Sequence, residues 1–244
     1  MRIGSLFAGI GGFDLAARWM GWETAWFSEI DPYASAVLQK HWPDVPNHGD
    51  ITKIDFTQAE PVDMLCGGFP CQDISLAGRG GGIDGERSGL WREYRRAVRE
   101  LRPRLVVVEN VTALLGRGLE RVLGDLAEIG YDAEWHCIPA AAVGGVHVRD
   151  RAWVVSYPQR DGVQGWSLAA SIRQRLWREE QLPRFLLPRL RHEVSDTRGW
   201  RMDHGIPSRL DVRRNIGVGN AIDPRNAYVI FQAIQEAEER INAA

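Results

Sequence analysis

The chain has 244 residues, of which 44% are hydrophobic, and this content suits one α/β domain with a small appendage. The net charge of -2 hides an asymmetry, because residues 145–214 carry 14 Arg and no Lys against eight acidic residues and so form a candidate polyanion-binding surface. No apolar run approaches the roughly 20 residues of a membrane helix and no secretory signal opens the chain, so we expect a cytoplasmic protein without a membrane partner.

Short β-branched apolar runs alternate with amphipathic segments over the first 156 residues, which is typical of a doubly wound, mostly parallel sheet with helices on both faces. Strands are predicted over residues 2–7, 24–29, 62–66, 105–109, 133–138 and 152–156. Helices are predicted over residues 12–20, 31–42, 88–101, 117–129 and 224–241. Residues 157–206 have scattered prolines and no clear period, so we expect them to form a separate small region.

A glycine-rich turn, FAGIGG at residues 7–12, follows the first strand and opens the first helix, where a nucleoside cofactor can lie against backbone. The dinucleotide form G-x-G-x-x-G is not completed, because Asp14 occupies the last glycine position. The next two strand ends supply Glu29 and Asp50, which suit ribose hydroxyls and an adenine amino group respectively. Each acid could instead be a helix N-cap or a solvated side chain.

The segment GGFPCQ at residues 67–72 places Cys71 just past a predicted buried strand. Two glycines allow a tight turn and a proline stiffens it, so the thiol would be exposed at a strand's carboxyl end, where open α/β sheets bind substrates. A lone cysteine is more often an inert core residue, but this placement favours a nucleophile. The other cysteines, Cys66 and Cys137, form no C-x-x-C motif, so we expect neither a zinc site nor a disulfide framework.

Glu109 follows the apolar strand over residues 105–108 and is expected to emerge at the same sheet edge as Cys71. Burial beside apolar neighbours would raise the pKa of its carboxyl and let it hold or donate a proton. Arg149 and Arg151 precede the next strand at alternate positions, so they could grip a carbonyl or a phosphate. They could equally form surface ion pairs near Asp150, and the Arg content could reflect genomic base composition, since Lys occurs only at positions 40 and 53.

Five segments in this order resemble the cytosine-5 methyltransferase family, and they span most of the chain. They are FAGIGG at 7–12, PCQ at 70–72, ENV at 109–111, HVRDR at 147–151 and GNAI at 219–222. The resemblance implies a Rossmann-like S-adenosylmethionine-binding domain, formed by residues 1–156 and 207–244, with residues 157–206 as a short target-recognition region. Asp223 stands where the family has an apolar residue, which predicts altered helix packing or a cap for the final helix.

The resemblance also implies residue roles. A Cys71 thiolate would add to C6 of a flipped-out cytosine while Glu109 stabilises a proton at N3, so that C5 can attack the methyl group. Arg151 would contact the cytosine O2 and Arg149 would help to hold the site. The residues expected to bind S-adenosylmethionine are Phe7, Gly9, Gly11, Gly12, Glu29, Asp50, Ile51, Pro70, Leu90 and Asn220.

Double-stranded DNA is the substrate that the resemblance implies, with Gln72 and Ser75 beside the extruded nucleotide. A tRNA cytosine-5 methyltransferase is the alternative enzyme, and an inactive nucleic-acid-binding relative is the alternative outside the enzyme class. Residues 202–209 resemble phage and bacterial DNA enzymes, and the chain has no Cys-Phe-Thr tripeptide like that of the tRNA branch, so DNA is favoured. The recognition region is short, and a partner subunit could supply base-specific contacts.

Overall fold

A six-stranded sheet forms the centre of the computed structural model, which describes residues 1–70, 90–144, 150–159, 167–176 and 221–242. The strands are β1 (Arg2–Leu6), β2 (Glu23–Ser28), β3 (Met64–Gly67), β4 (Leu105–Val111), β5 (Tyr131–Pro139) and β6 (Asp150–Pro158). Their order is β2-β1-β3-β4-β6-β5, and β1 to β4 are mutually parallel. Strand β6 lies antiparallel between β4 and β5, so the predicted mostly parallel α/β sheet is confirmed with β6 as the exception.

The helices cover both faces of this sheet. They are α1 (Gly12–Trp19), α2 (Pro32–His41), α3 (Leu90–Leu101), α4 (Leu114–Arg117), α5 (Leu119–Glu128), α6 (Ala169–Leu176) and α7 (Pro224–Asn242). Helix α2 begins where the Asp31 side chain accepts a hydrogen bond of 2.8 Å from the Ala34 amide, followed by Pro32 in the first turn. The helix predicted over residues 117–129 is confirmed as α5, and the one-turn helix α4, which was not predicted, precedes it and is separated from it by Gly118.

Alternate residues of each central strand enter two separate apolar layers. In β4, Leu105 and Val107 pack in the layer that contains residues of α1 and α7, whereas Val106 and Val108 pack in the layer that contains residues of α3 and α5. This division follows from the period of two in a strand, and it requires a strand that is apolar on both faces. The doubly wound arrangement predicted from the sequence is therefore confirmed.

The described parts of the predicted recognition region are residues 157–159, where β6 ends, and residues 167–176, which include helix α6. Leu168 and Ile172 are buried in the same layer as α1 and α7. The rest of the region lies largely outside the described residues, so the division into residues 1–156, 157–206 and 207–244 stays a prediction. Within the described ranges, no helix is both long enough and apolar enough to cross a membrane.

Candidate active site

The turn between β1 and α1 follows a left-handed backbone path. The φ angle is 50° at Phe7, 56° at Gly9 and 88° at Gly11. Glycine adopts such angles without steric cost, whereas a phenylalanine there is uncommon. A Cβ placed on Gly9 would meet no atom within 4 Å, so open space lies over this part of the turn. A ligand can therefore approach the backbone closely at the position predicted for the cofactor.

Gly11 and Gly12 face protein rather than open space. A Cβ on Gly11 would lie 2.7 Å from the ring of Trp42, and one on Gly12 would lie 2.4 Å from the carbonyl oxygen of Ile222. A side chain at position 11 would therefore displace the Trp42 ring, and one at position 12 would displace the Ile222 carbonyl. Ile222 immediately precedes the start of α7, so the end of the chain closes one side of this turn.

Glu29 joins the ends of β1 and β2. Its Oε2 accepts a 2.7 Å hydrogen bond from the Gly9 amide, and its Oε1 accepts one of 2.7 Å from the Asp31 amide. Carboxylate oxygens can each accept more than one hydrogen bond, so capacity remains for the hydroxyls of a ribose. The structure thus brings Glu29 and Gly9 together as the predicted cofactor site requires.

Ile30 is a residue that the sequence reasoning missed. It directly follows Glu29 and is 69% exposed, an unusual placement for a large apolar side chain. It offers an apolar surface beside the turn where a nucleoside is expected. The available signal was its position, since an isoleucine between two acids at a strand end has no neighbouring apolar period to bury it.

Asp50 caps a short 3-10 turn, Ile51–Lys53. Its Oδ1 accepts hydrogen bonds from the Thr52 amide at 3.0 Å and the Thr52 hydroxyl at 2.8 Å. Hydrogen bonding from Thr52 holds the pKa of Asp50 below its ordinary value. The capping role left open by the sequence is therefore present, while a contact with adenine stays a prediction. Ile51 is buried in the α3 and α5 layer.

The turn that leads to Cys71 is fixed by β4. The Asn110 side-chain amide donates a 3.0 Å hydrogen bond to the carbonyl oxygen of Phe69. A Cβ on Gly68 would lie only 2.7 Å from Glu109 Oε2, so glycine is needed for this approach. Asn110 was missed by the sequence reasoning, although it stands beside Glu109 at the same strand end.

Glu109 and Arg151 form an ion pair at the carboxyl end of β4. Arg151 Nε lies 2.7 Å from Glu109 Oε1, and the two side chains are 21% and 10% exposed. The antiparallel register pairs Val111 with Arg151, which places the guanidinium over the end of β4. The predicted burial of Glu109 is confirmed, and Arg151 compensates its charge instead of pairing with the neighbouring Asp150 carboxylate.

Two of the remaining predicted site residues, Pro70 and Leu90, are described by the structure. Pro70 is half-buried and is the last residue described before Cys71. Leu90 opens α3 and packs against the α3 and α5 layer, and the ring of the adjacent Trp91 lies 5.4 Å from that of Phe69. The predicted site residues that lie outside the described residues are Cys71, Gln72, Ser75, Arg149 and Asn220.

The two described cysteines are poorly suited to nucleophilic attack. Cys66 is fully buried, and desolvation raises the pKa of its thiol well above the ordinary value. Cys137 is exposed on β5, yet partial burial also raises the pKa of its thiol. A reactive cysteine needs a lowered pKa, so both observations leave Cys71 as the candidate. In the described parts of the chain, no group of three or more His, Cys, Asp or Glu side chains could hold a metal ion.

Comparison with known proteins identifies a family. A model of the family described as C-5 cytosine-specific DNA methylase matches residues 1–205. The Type II methyltransferase M2.BsuMI of Bacillus subtilis is 37% identical over 152 residues, which covers 59% of this chain and 39% of the relative. The Type II methyltransferase M.HhaI of Haemophilus parahaemolyticus is 32% identical over 170 residues, which covers 68% of this chain and 52% of the relative.

Comparison with solved structures supports the fold. The S. pombe Dnmt2 methyltransferase superposes with a TM-score of 0.59 at 16% identity, covering 74% of this chain and 57% of that chain. At this identity the likeness shows the fold alone, and it confirms the Rossmann-like methyltransferase fold expected from the sequence. The chain spans about half the length of the relatives it matches, or less.

Proposed function

This chain belongs to the C-5 cytosine-specific DNA methylase family, and from that premise we propose that it methylates C5 of cytosine in double-stranded DNA with S-adenosylmethionine as methyl donor. The observation that carries the proposal is the Glu109–Arg151 ion pair, which lies against the Gly68 turn that leads into Cys71. One edge of the sheet thus presents an acid and a cation beside the turn that precedes the expected nucleophile.

The residues at the ends of β1 and β2 fit the proposed cofactor. The open space over Gly9 admits a ligand to the backbone, and the Glu29 carboxylate beside it can accept from ribose hydroxyls. Ile30 supplies apolar surface for a base, and Asp50 follows at the next turn. S-adenosylmethionine, when bound, supplies an electrophilic methyl group. Phe7, Gly11, Gly12, Ile51, Pro70, Leu90 and Asn220 complete the proposed set.

The protein groups have distinct proposed roles toward cytosine. The Cys71 thiolate adds to C6, and this step moves electron density to C5, which is otherwise a poor nucleophile. Glu109 holds a proton at N3, so that the ring does not accumulate negative charge. Arg151 contacts the O2 of the base while it compensates the charge of Glu109. After methyl transfer, the C5 proton passes to solvent and the C6–S bond breaks to release the Cys71 thiolate. The N3 proton returns to Glu109, which restores the ring.

Access to this edge requires the base to leave the duplex. A stacked cytosine cannot reach a thiol at the end of a buried strand, so the base must be extruded at a cost of a few kcal/mol. Gln72, Ser75 and Arg149 are proposed to hold the extruded nucleotide. Residues 157–206 are proposed to contribute to target recognition, alone or with a partner subunit. The type II methyltransferases among the relatives favour a restriction-modification role.

The cysteine assignment predicts a selective loss of activity. Cys71→Ser should abolish methyl transfer and leave the affinity for S-adenosylmethionine near that of the wild type, because the thiol serves the base and not the cofactor. The matched control is Cys137→Ser, which changes an exposed cysteine on β5 and should leave both quantities unchanged. The measurement is tritiated methyl transfer to duplex DNA and to bulk tRNA, with bisulfite sequencing of the DNA product.

Each outcome of that experiment decides between the readings. Methylcytosine in DNA that disappears only in Cys71→Ser supports the proposal and reveals the target sequence. Label found only in tRNA would move the protein to the RNA-modifying branch. Equal loss of cofactor binding in Cys71→Ser would overturn the division of roles, and no label in either nucleic acid would favour a binding protein.

A further inference from the structure

The four residues 222–225, here called the bracket, touch three separate turns at the functional edge of the sheet. The carbonyl oxygen of Ile222 closes the turn at Gly12, and its Cδ1 would lie 3.5 Å from a Cβ on Gly68. The first of these turns is the proposed cofactor turn, and the second leads into Cys71. One side chain and its own carbonyl therefore contact both.

The third contact is made by Arg225. Its guanidinium grips the Asp223 carboxylate with bonds of 2.9 Å from Nε and 2.6 Å from Nη2. A further Nη1 hydrogen bond of 2.9 Å goes to the carbonyl oxygen of Gly144. The side chains of Arg225 and Asp223 are only 11% and 13% exposed. Such a shielded bidentate pair holds its geometry better than an exposed one.

Gly144 ends the 3-10 turn Ala140–Val143 with a φ angle of 79°. The chain then leads to the start of β6, where Arg151 contacts Glu109 at 2.7 Å. Holding Gly144 therefore anchors one end of the connection that precedes Arg151. The other end of that connection is anchored by the ladder between β6 and β4.

The hydrogen bond from Arg225 to Gly144 is not needed to cap the start of α7. Asp223 Oδ1 accepts a 3.0 Å hydrogen bond from the Arg225 amide, and this alone caps the helix. Capping would be equally served by any residue at position 225, because it uses only the backbone amide. The guanidinium instead reaches from α7 to the turn at Gly144, which residues 145–149 join in sequence to β6.

We propose that Arg225, oriented by Asp223, is a positioning residue that fixes the turn at Gly144 and thereby the alignment of Arg151 with the base. The proposal rests on the proposed function, because it assigns Arg225 to the base-handling side of that same site. It predicts that loss of Arg225 impairs the methyl-transfer step rather than cofactor binding.

The test compares Arg225→Gln with a matched control at Arg104, which precedes β4 and pairs with Glu238 near the far end of the same helix. Arg225→Gln should lower kcat roughly 10- to 100-fold while KM for S-adenosylmethionine stays within about twofold, since misplacement of a catalytic group by a fraction of an ångström has effects of this size. Arg225→Lys keeps the positive charge and should recover part of the loss. The control, Arg104→Gln, breaks the ion pair between Arg104 and Glu238 of α7 and should leave kcat unchanged.

A second readout does not depend on activity. Hydrogen exchange of the amides in residues 140–144 should speed up in Arg225→Gln and not in Arg104→Gln. If wild type transfers no methyl group, the proposed function fails, and the exchange measurement still decides whether Arg225 holds this turn. The positioning role is overturned if Arg225→Gln keeps wild-type kcat, if its exchange is unchanged, or if Arg104→Gln loses as much activity.

Discussion

At the scale of single residues, Asp14 is the most unusual group in the described core. It lies in the first turn of α1, and its fully buried carboxyl accepts hydrogen bonds from the Ser5 hydroxyl at 3.1 Å and the Thr24 hydroxyl at 3.0 Å. Desolvation by burial dominates and raises the pKa of Asp14 to about 6. The residue that interrupts the glycine pattern is therefore an acid whose neutral form the fold favours.

Asp14→Asn should remove a pH dependence of stability. Because the pKa of Asp14 in the folded state lies above its value in the unfolded chain, its stabilising contribution is complete below the unfolded pKa and is lost as pH rises through about 6. Asparagine keeps one acceptor oxygen for one hydroxyl, its NH2 group can donate to the other hydroxyl, and it never ionises. Relative to wild type, the variant should gain about 2 kcal/mol between pH values of about 4.5 and about 7.5.

Urea unfolding at the two pH values measures that gain. A free-energy difference between variant and wild type that does not change with pH would show that Asp14 titrates equally in both states. Ser5→Ala offers a separate check, because removing one donor should raise the pKa of Asp14 further and move the transition to higher pH.

The same residues show how far sequence reasoning reaches. Glu109 could be placed at the sheet edge because an apolar run of fixed length ends directly before it. The ion pair of Glu109 with Arg151 could not be predicted, because it depends on the antiparallel direction of β6. The apolar pattern of a buried strand is the same for parallel and antiparallel neighbours. Asn110 and Arg225 were missed for a related reason, since both act on backbone carbonyls that are distant in sequence and carry no side-chain signal.

At the scale of elements, helix and strand positions were predicted well where periodicity was long. The helix predicted over residues 117–129 corresponds to α5 at Leu119–Glu128. The short helix α4 follows β4 and exposes Leu115 near the functional edge. It was not predicted, because four residues are too few to show a helical period.

Helix α5 contains a glycine, Gly124, that lowers its helix propensity and can be replaced. This residue is exposed within the helix, and a Cβ there would meet no atom within 4 Å. Gly124→Ala should therefore raise the free energy of unfolding by about 0.5 to 1 kcal/mol through helix propensity alone. The measurement is chemical unfolding with activity as a second readout. A loss of stability would mean that the helix is distorted at this residue.

The contrasting substitution is Gly12→Ala at the start of α1. Its Cβ would lie 2.4 Å from the Ile222 carbonyl oxygen, a backbone atom that can move only with the bracket. The two substitutions are chemically identical and should have opposite effects on stability. A neutral Gly12→Ala would show that the bracket adjusts freely, which would also weaken the case for its positioning role.

At the scale of the whole molecule, ligand binding and folding are linked. If the ends of β1 and β2 form the cofactor site in the folded protein, S-adenosylmethionine at 100 times its Kd should stabilise the chain by about 2.7 kcal/mol. For a domain of this size that corresponds to an increase in Tm of roughly 5 to 10 °C. Thermal unfolding with and without the cofactor measures it, with Cys71→Ser expected to show the same increase. An unchanged Tm in wild type would contradict the proposed cofactor site.

The position of β6 in the sheet has a consequence for the order of folding. Strands β1 to β4 can pair as they emerge during synthesis, but the outer edge of β4 is covered only by β6, which is made after β5. The pairing of β4 with β6 therefore waits until β6 has been synthesised, because β6 follows the other described strands along the chain. Arg151 arrives with β6, so Glu109 has no counter-charge from it until the sheet closes. A nascent chain therefore forms the Glu109–Arg151 ion pair at the same time as it adds β6 to the sheet. Truncation before residue 150 removes both the strand and the ion pair.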